Sequence, residues 1–426
     1  MTHLQPGTGL QSPSTTAPTH DELQRRTMRV LVLMQIVGTV GVGIAPSIGI
    51  LLASQVTDNE AWAGLARTAS TLGAALLGLP LGNLAARFGR RFALSSGWWT
   101  AAAGSAILVV AAQVSHVVLL FVGLLLIGAG SAVSLQARFA ATDLAKPHHK
   151  GRALALIVWV GTIGSVLGPN LGIPGEFISE RTGLTVYASA FLIAAVCLAI
   201  AGVLVFVWLR PDPLAVLQAD SAAAPSQGRK NSKIRLILAE LRINRSARYA
   251  VIAILSAQIV MVAIMTMTPV HMTHQGGSIT LVGITISLHI LGMYAFAPAV
   301  GLMADRLGHR LTIGAGIWVF AASLSIAALQ PHDTTWIITS LILLGLGWSL
   351  MNVAASALFS MVVSAQTRAS SQGGVDAISN LCGAAAAFGA GPLLALSNFS
   401  TLAVLAVAAL IPIFILTLRG HTSSGS

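Results

Sequence analysis

Charge is what this chain has least of. Only 9% of its 426 residues are charged, against roughly a quarter in ordinary soluble domains, and that scarcity excludes a water-soluble globular fold. Acids are scarcer still, with 13 Asp and Glu against 24 Lys and Arg. Cysteine is limited to Cys197 and Cys382, far apart and inside apolar runs; this excludes a disulfide framework and a thiolate metal cluster of recognisable spacing. Residues 1 to 24 lack the apolar region of a signal peptide and are rich in Thr, Pro and Gln. No cleavage is expected there, and the stretch reads as a disordered cytoplasmic tail.

What is present in excess is apolar surface. The chain is 55% hydrophobic with a mean hydropathy of +0.81, the composition of an integral membrane protein. Its 42 glycines are scattered through apolar runs rather than gathered in loops, which suits spanning helices that approach closely through small residues. A net charge of +11 would suggest nucleic acid in a soluble protein. Here the positive residues flank apolar runs and act as topology signals, so no nucleic-acid partner is expected. The expected partners are the lipid bilayer and a small-molecule or metal-ion substrate, bound by a monomer.

Runs of about twenty apolar residues, enough to cross the hydrocarbon core, occur twelve times: 29 to 53, 62 to 85, 93 to 113, 117 to 138, 153 to 173, 186 to 209, 249 to 272, 280 to 303, 311 to 330, 335 to 358, 374 to 395 and 399 to 418. Of the basic residues, only Arg67 and Arg181 fall in or beside loops on the side opposite the N-terminus. Both termini are therefore expected in the cytoplasm, with the protein in the inner (plasma) membrane. The expected divisions are a tail at 1–28, six-helix halves at 29–209 and 249–418, a linker at 210–248, and a second tail at 419–426. The linker interrupts the pattern with Pro, Ser, Gln and basic residues, and 233 to 245 alternate Ile and Leu with Lys and Arg, as in an amphipathic helix on an anionic leaflet. A merely solvated linker fits equally well.

"GNLAARFGRR" at 82 to 91 returns as "GLMADRLGHR" at 301 to 310, about half a chain later, an internal duplication. These copies resemble the signature loop of the major facilitator superfamily, found between the second and third helices of each half. The resemblance implies an all-α membrane fold of twelve transmembrane helices in two pseudo-symmetric six-helix halves, with no enzymatic activity. In it Gly82, Gly89, Gly301 and Gly308 would allow close turns, while Arg87, Arg90, Arg91, Arg306 and Arg310 hold the loops on the cytoplasmic side. Asp305 occupies the motif's acidic place, where the first copy has Ala86. The run "GTIGSVLGPNLG" at 161 to 172 resembles the Gly-Pro motif of the superfamily's proton antiporters, with Gly164, Gly168, Pro169 and Gly172 giving a kinked helix with a bare face; simple packing glycines are the alternative.

A central carboxylate, common in proton-coupled carriers, is missing from these spans. Asp143, Asp305 and Asp376 lie near cytoplasmic helix ends, and Arg138, toward the inner end of its helix, could bind an anionic group but is expected rather to snorkel to the cytoplasmic interface. His289 is the sole histidine near a helix centre. Six of eleven methionines and three of eleven histidines nevertheless crowd between Met261 and Met303. Met261 with Met265, and His289 with Met293, share helix faces at a spacing of four and at matched depth. Met267, His271 and His274 form a second stripe toward the outer mouth, beside Pro269. Thioether and neutral imidazole suit Cu(I), although methionines also fill irregular cores. The two pairs resemble the Met-x-x-x-Met and His-x-x-x-Met motifs of the CcoA-type copper importers, a branch that also includes riboflavin carriers. No cofactor is expected, copper being the leading cargo of an alternating-access carrier. Three alternatives stand beside it: a proton-coupled exporter of drugs or other small organic compounds, a carrier of a vitamin such as riboflavin, and a non-transporting metal sensor.

Overall fold

The computed structural model describes residues 20–59, 61–146, 149–220, 244–363 and 368–421. Among these there is no strand. The helices are α1 (His20–Val42), α2 (Ile50–Thr57), α3 (Ala61–Val114), α4 (Val117–Asp143), α5 (Lys150–Leu167), α6 (Gly172–Thr182), α7 (Val186–Trp208) and α8 (Pro213–Asp220), then α9 (Arg245–His274), α10 (Ile279–Tyr294), α11 (Ala297–Leu307), α12 (His309–Leu329), α13 (Thr334–Val362), α14 (Arg368–Leu396), α15 (Phe399–Ala408) and α16 (Ile411–His421). Among the described residues eleven continuous helical stretches are long and apolar enough to cross a membrane. One of them, α3, carries two passes joined at Gly89, whose φ of 88° and ψ of 170° break the helix, so the chain crosses twelve times.

Several crossings are interrupted. A π-helical turn over Ala45–Gly49 separates α1 from α2, a 3-10 turn over Gly168–Leu171 separates α5 from α6, and α10 ends at Tyr294, just before Pro298 starts α11. Proline withholds a donor and crowds the preceding turn, which accounts for a break at each of these places. Helix starts are fixed by side-chain oxygens that satisfy orphan backbone donors. Thr185, Asn244 and Ser278 accept from the amides three residues on at 3.1–3.2 Å, and Asp333 and Asn398 do the same for α13 and α15.

The boundaries expected from sequence move in two places. Residues 20–28 belong to α1, not to the tail, because the helix runs beyond the apolar stretch that signalled it. Within the linker 210–248, residues 213–220 form α8, capped by Asp212. The amphipathic helix expected at 233 to 245 lies outside the described residues up to 243, as do the tails at 1–19 and 422–426.

Each half has its own apolar core. The contacts that join the halves lie toward the helix ends remote from the termini. Gly64 of α3 meets the Ala387 carbonyl, and Gly391 of α14 meets Ala61. Thr68 Oγ1 donates to the Ala384 carbonyl at 2.9 Å, and Asn170 Nδ2 donates to Ser287 Oγ at 2.6 Å. The same end of the interface is sealed by Ile50, Leu51 and Ala63, which pack into the second half's core. The molecule is therefore closed on the side away from the termini.

Candidate functional site

Tyr294, Trp348 and Gln258 from three helices of the second half meet near mid-membrane, with Arg67 and Arg138 of the first half within electrostatic range. Tyr294 ends α10 near the middle of its crossing, and Trp348 lies near the middle of α13. Their rings meet edge to face, with centroids 5.7 Å apart and planes at 68°, an arrangement that aligns a positive ring edge with a negative ring face. Gln258 of α9 accepts from Trp348 Nε1 at 3.1 Å and is packed against bare Gly383 of α14, where a Cβ would come within 3.2 Å of its amide nitrogen. From the first half, Arg67 of α3 and Arg138 of α4 both lie within electrostatic range of Tyr294. Asp376 of α14 lies within range of Arg138.

Two of these residues correct the sequence reading. Arg67 is not a loop marker; it lies one and a half turns inside α3, part-buried and within electrostatic range of Tyr294 in the opposite half. Arg138 is part-buried and faces Tyr294 and Asp376, not the lipid interface. Asp376 stands at the terminus-side end of its crossing, as the sequence reading has it, with its side chain exposed. A charged side chain within an apolar run is the signal that marked the two arginines; which way each pointed was not readable.

The methionine and histidine set is buried within the second half. Met261, Met265, Met267 and Met293 belong to its core. His289 is fully buried, with Nδ1 2.8 Å from the Leu341 carbonyl of α13 and Nε2 lacking a hydrogen-bond partner. The two helices that carry the pairs, α9 and α10, make their main contacts with α13, not with each other. His271, expected to line an entry path, instead stacks on Phe399, with centroids 4.3 Å apart, and places Nε2 2.6 Å from the Pro331 carbonyl. His274 is exposed, one turn further along α9. Among the described residues no group of three or more His, Cys, Asp or Glu is arranged to hold a metal.

The motif glycines divide. Gly89 and Gly308 take positive φ, 88° and 95°, where a side chain would clash with its own backbone. Gly82 and Gly301, expected to make close turns as well, do not: the nearest atom to a Cβ at Gly82 is 4.0 Å away, and Gly301 faces open space. Gly164 lies against Thr39 and the Ile36 carbonyl, and a Cβ at Gly168 would stand 2.6 Å from Gly43 Cα. These two glycines and Pro169 lock α5 and its 3-10 turn onto α1. In the first signature loop Arg90 Nε donates to Asp143 at 2.8 Å, while Asp305 and Arg306 of the second are exposed.

A twelve-crossing helical fold in two halves, closed at one side around a central polar set, defines a membrane transporter. The family model described as "Major Facilitator Superfamily" matches residues 31–278 and 250–423, and the chain belongs to that family. It is 37% identical over 391 residues to the uncharacterized MFS-type transporter YddS of Bacillus subtilis (strain 168), covering 90% of this chain and 88% of the relative. The riboflavin transporter RfnT of Brucella anthropi is 28% identical over 380 residues, 89% of this chain and 91% of its own. The solved nucleoside transporter NupG superposes with a TM-score of 0.68 at 14% identity, covering 95% of this chain and 99% of that one, which speaks to the fold alone. The family is one of transporters, not enzymes.

Proposed function

We propose that this chain is an alternating-access carrier of a small organic solute with a planar conjugated ring, of the flavin type. The observation that carries the reading is the mid-membrane set of Tyr294, Trp348 and Gln258 at the interface of the halves. Paired rings offer an aromatic solute edge and face contacts, and an amide beside them supplies a donor and an acceptor. The riboflavin named for RfnT supports the ring class. The abundance of basic residues on the terminus side supports cytoplasmic termini in a plasma membrane, in which case the conformation described is inward-facing. Rocking of one half on the other would open the seal formed by Gly64, Thr68, Ala384 and Ala387. The test is uptake of riboflavin into proteoliposomes holding the purified chain. Uptake above empty vesicles that falls at least about tenfold in Tyr294→Ala supports the reading, and a flux indistinguishable from empty vesicles rejects it.

Copper is the second reading, favoured by one observation: the buried, unpartnered Nε2 of His289 in a half whose core holds Met261, Met265 and Met293. An unpaired buried nitrogen is costly, and a soft cation would satisfy it. Leucine for methionine nearly conserves volume and costs less than about 1.5 kcal/mol in packing. Under ligation, Met261→Leu with Met265→Leu and His289→Leu abolishes copper uptake at unchanged expression. Under packing, the triple variant takes up as much copper as the parent chain.

A further inference from the structure

Where α7 leaves the membrane on the terminus side, its apolar run gives way to Arg210, Pro211 and Asp212. There the start of α1 and the end of α7 bound a narrow recess lined by Arg26, Thr27, Trp208, Leu209 and Arg210, among others. Thr27 and Leu209 are buried and form its floor, whereas Arg26, Trp208 and Arg210 are exposed at its rim. Among the described residues no carboxylate lines the recess, and neither arginine side chain has a hydrogen bond or an ion pair. Two nearby acids are engaged elsewhere: Asp21 pairs with Lys146 at 2.6 Å, and Asp212 accepts from the Arg91 and Leu214 amides at 2.7 and 2.9 Å. Several cations of the terminus side serve the fold itself, Arg90 on Asp143, Arg91 over Phe206 and Arg310 over Tyr249. The positive-inside rule asks for basic residues on this side, but not that two of them from separate segments meet at one recess. Arg25 and Arg29 of α1, also exposed, add to the positive field. Beside the recess, Val196, Ile200, Val203 and Val207 recur every three or four residues along α7 and are each about half exposed, so they form one apolar line on the lipid-facing side that ends at Trp208. At the helical rise that line is about 16 Å long, half of a hydrocarbon core of about 30 Å.

We propose that this recess is a headgroup site for an anionic phospholipid of the terminus-side leaflet. The phosphate lies at the mouth, between the guanidiniums of Arg26 and Arg210, and an acyl chain follows the apolar line of α7 through one leaflet. A guanidinium fork offers paired donors to a phosphate, an exposed tryptophan at a helix end suits the headgroup level, and basic recesses between helices on this side favour anionic headgroups. The recess is too narrow to enclose a whole solute, so the chain supplies the rest of the contact; free phosphate has the charge but nothing to lay along α7. Arg26 belongs to α1, and Arg210 stands two residues before Asp212, which caps α8 and holds the Arg91 turn. A lipid seated there ties α1 to the corner that carries the first signature loop, whatever solute the protein moves.

The test is native mass spectrometry of the purified full-length chain, titrated with phosphatidylglycerol, phosphatidylcholine, glycerol phosphate or inorganic phosphate. The first phosphatidylglycerol is expected to bind about tenfold or more tightly than phosphatidylcholine, the scale that two arginines at a membrane surface imply. In the double variant Arg26→Gln, Arg210→Gln that preference falls below about twofold. A control double variant, Arg152→Gln with Arg248→Gln, removes the same charge from two other exposed arginines and keeps it. Both variants should melt with the parent chain when no lipid is added, because all four side chains are exposed. Equal binding of the two lipids, an undiminished preference in the Arg26, Arg210 variant, or an equal loss in the control overturns the site. Glycerol phosphate or inorganic phosphate binding as tightly as phosphatidylglycerol overturns the lipid as its occupant.

Discussion

The two signature loops share a sequence pattern but not a mechanical role. In the first, Gly89 turns the chain directly against Asp212, whose carboxylate accepts from the Arg91 amide at 2.7 Å. Beside it, Arg90 forms a two-point pair with Asp143 at 2.8 and 3.3 Å. In the second, Gly308 makes the same turn with nothing near it, and Asp305 and Arg306 are exposed. The acid missing at Ala86 is thus replaced from outside the loop, by Asp143 at the end of α4 and Asp212 at the start of α8. A motif position can be lost when another element brings the same charge to the same place. The first half is bolted on the terminus side, while its counterpart retains the freedom that a moving half needs.

The largest test of that contrast lies in bare helix faces. Leucine at Gly168 must displace the backbone of Gly43 and Val40, a cost of several kcal/mol that relaxation only partly relieves; the purified variant is expected to melt far below the parent and to transport nothing. Leucine at Gly301 meets open space, and its melting temperature should match the parent. Similar losses in both would erase the distinction. Next come the turns. Gly89→Ala combines a glycine-only backbone conformation with a collision at Asp212, and about 3 kcal/mol is expected, against about 1 kcal/mol for Gly308→Ala, where strain acts alone. Denaturant unfolding of the two variants should separate them by a clear margin.

Smaller effects belong to the charges. The side chains of Arg90 and Asp143 are 15% and 11% exposed, so Arg90→Ala leaves a largely dry carboxylate and should cost about 1–3 kcal/mol. At the exposed Arg306 the same change should stay within about 0.5 kcal/mol. Asp212→Ala removes an amide acceptor from the Arg91 turn and the cap of α8, and about 1–2 kcal/mol is expected from such a loss. An unaltered midpoint for Asp212→Ala would mean that the first loop is not held by its borrowed acid.

Much of the architecture was legible in the sequence because hydropathy and glycine spacing are local properties. The twelve apolar runs became twelve crossings, and the repeated loops fell at corresponding turns. The candidate site was less legible. Met261, Met265, His289 and Met293 were conspicuous by composition, yet the helices that carry them pack chiefly on α13. Arg67 looked like a topology charge, and Arg138 like a snorkelling side chain or an anion binder, because an arginine near a helix end reads alike whether it faces lipid headgroups or the opposite half. Helical periodicity fixes which residues share a face, not what that face meets.

By itself the sequence determined that the chain spans a bilayer in two related halves, since every backbone polar group must be satisfied within helices once apolar runs of this length enter lipid. Only the tertiary structure decided that Asp143 and Asp212 make good the acid missing at Ala86, that His271 stacks on Phe399, and that Tyr294 meets Trp348 edge to face while Gln258 accepts from the indole. Those outcomes depend on how distant helices are rotated and tilted against one another, and that choice is made by close packing summed over the whole interface, which no short stretch of sequence encodes.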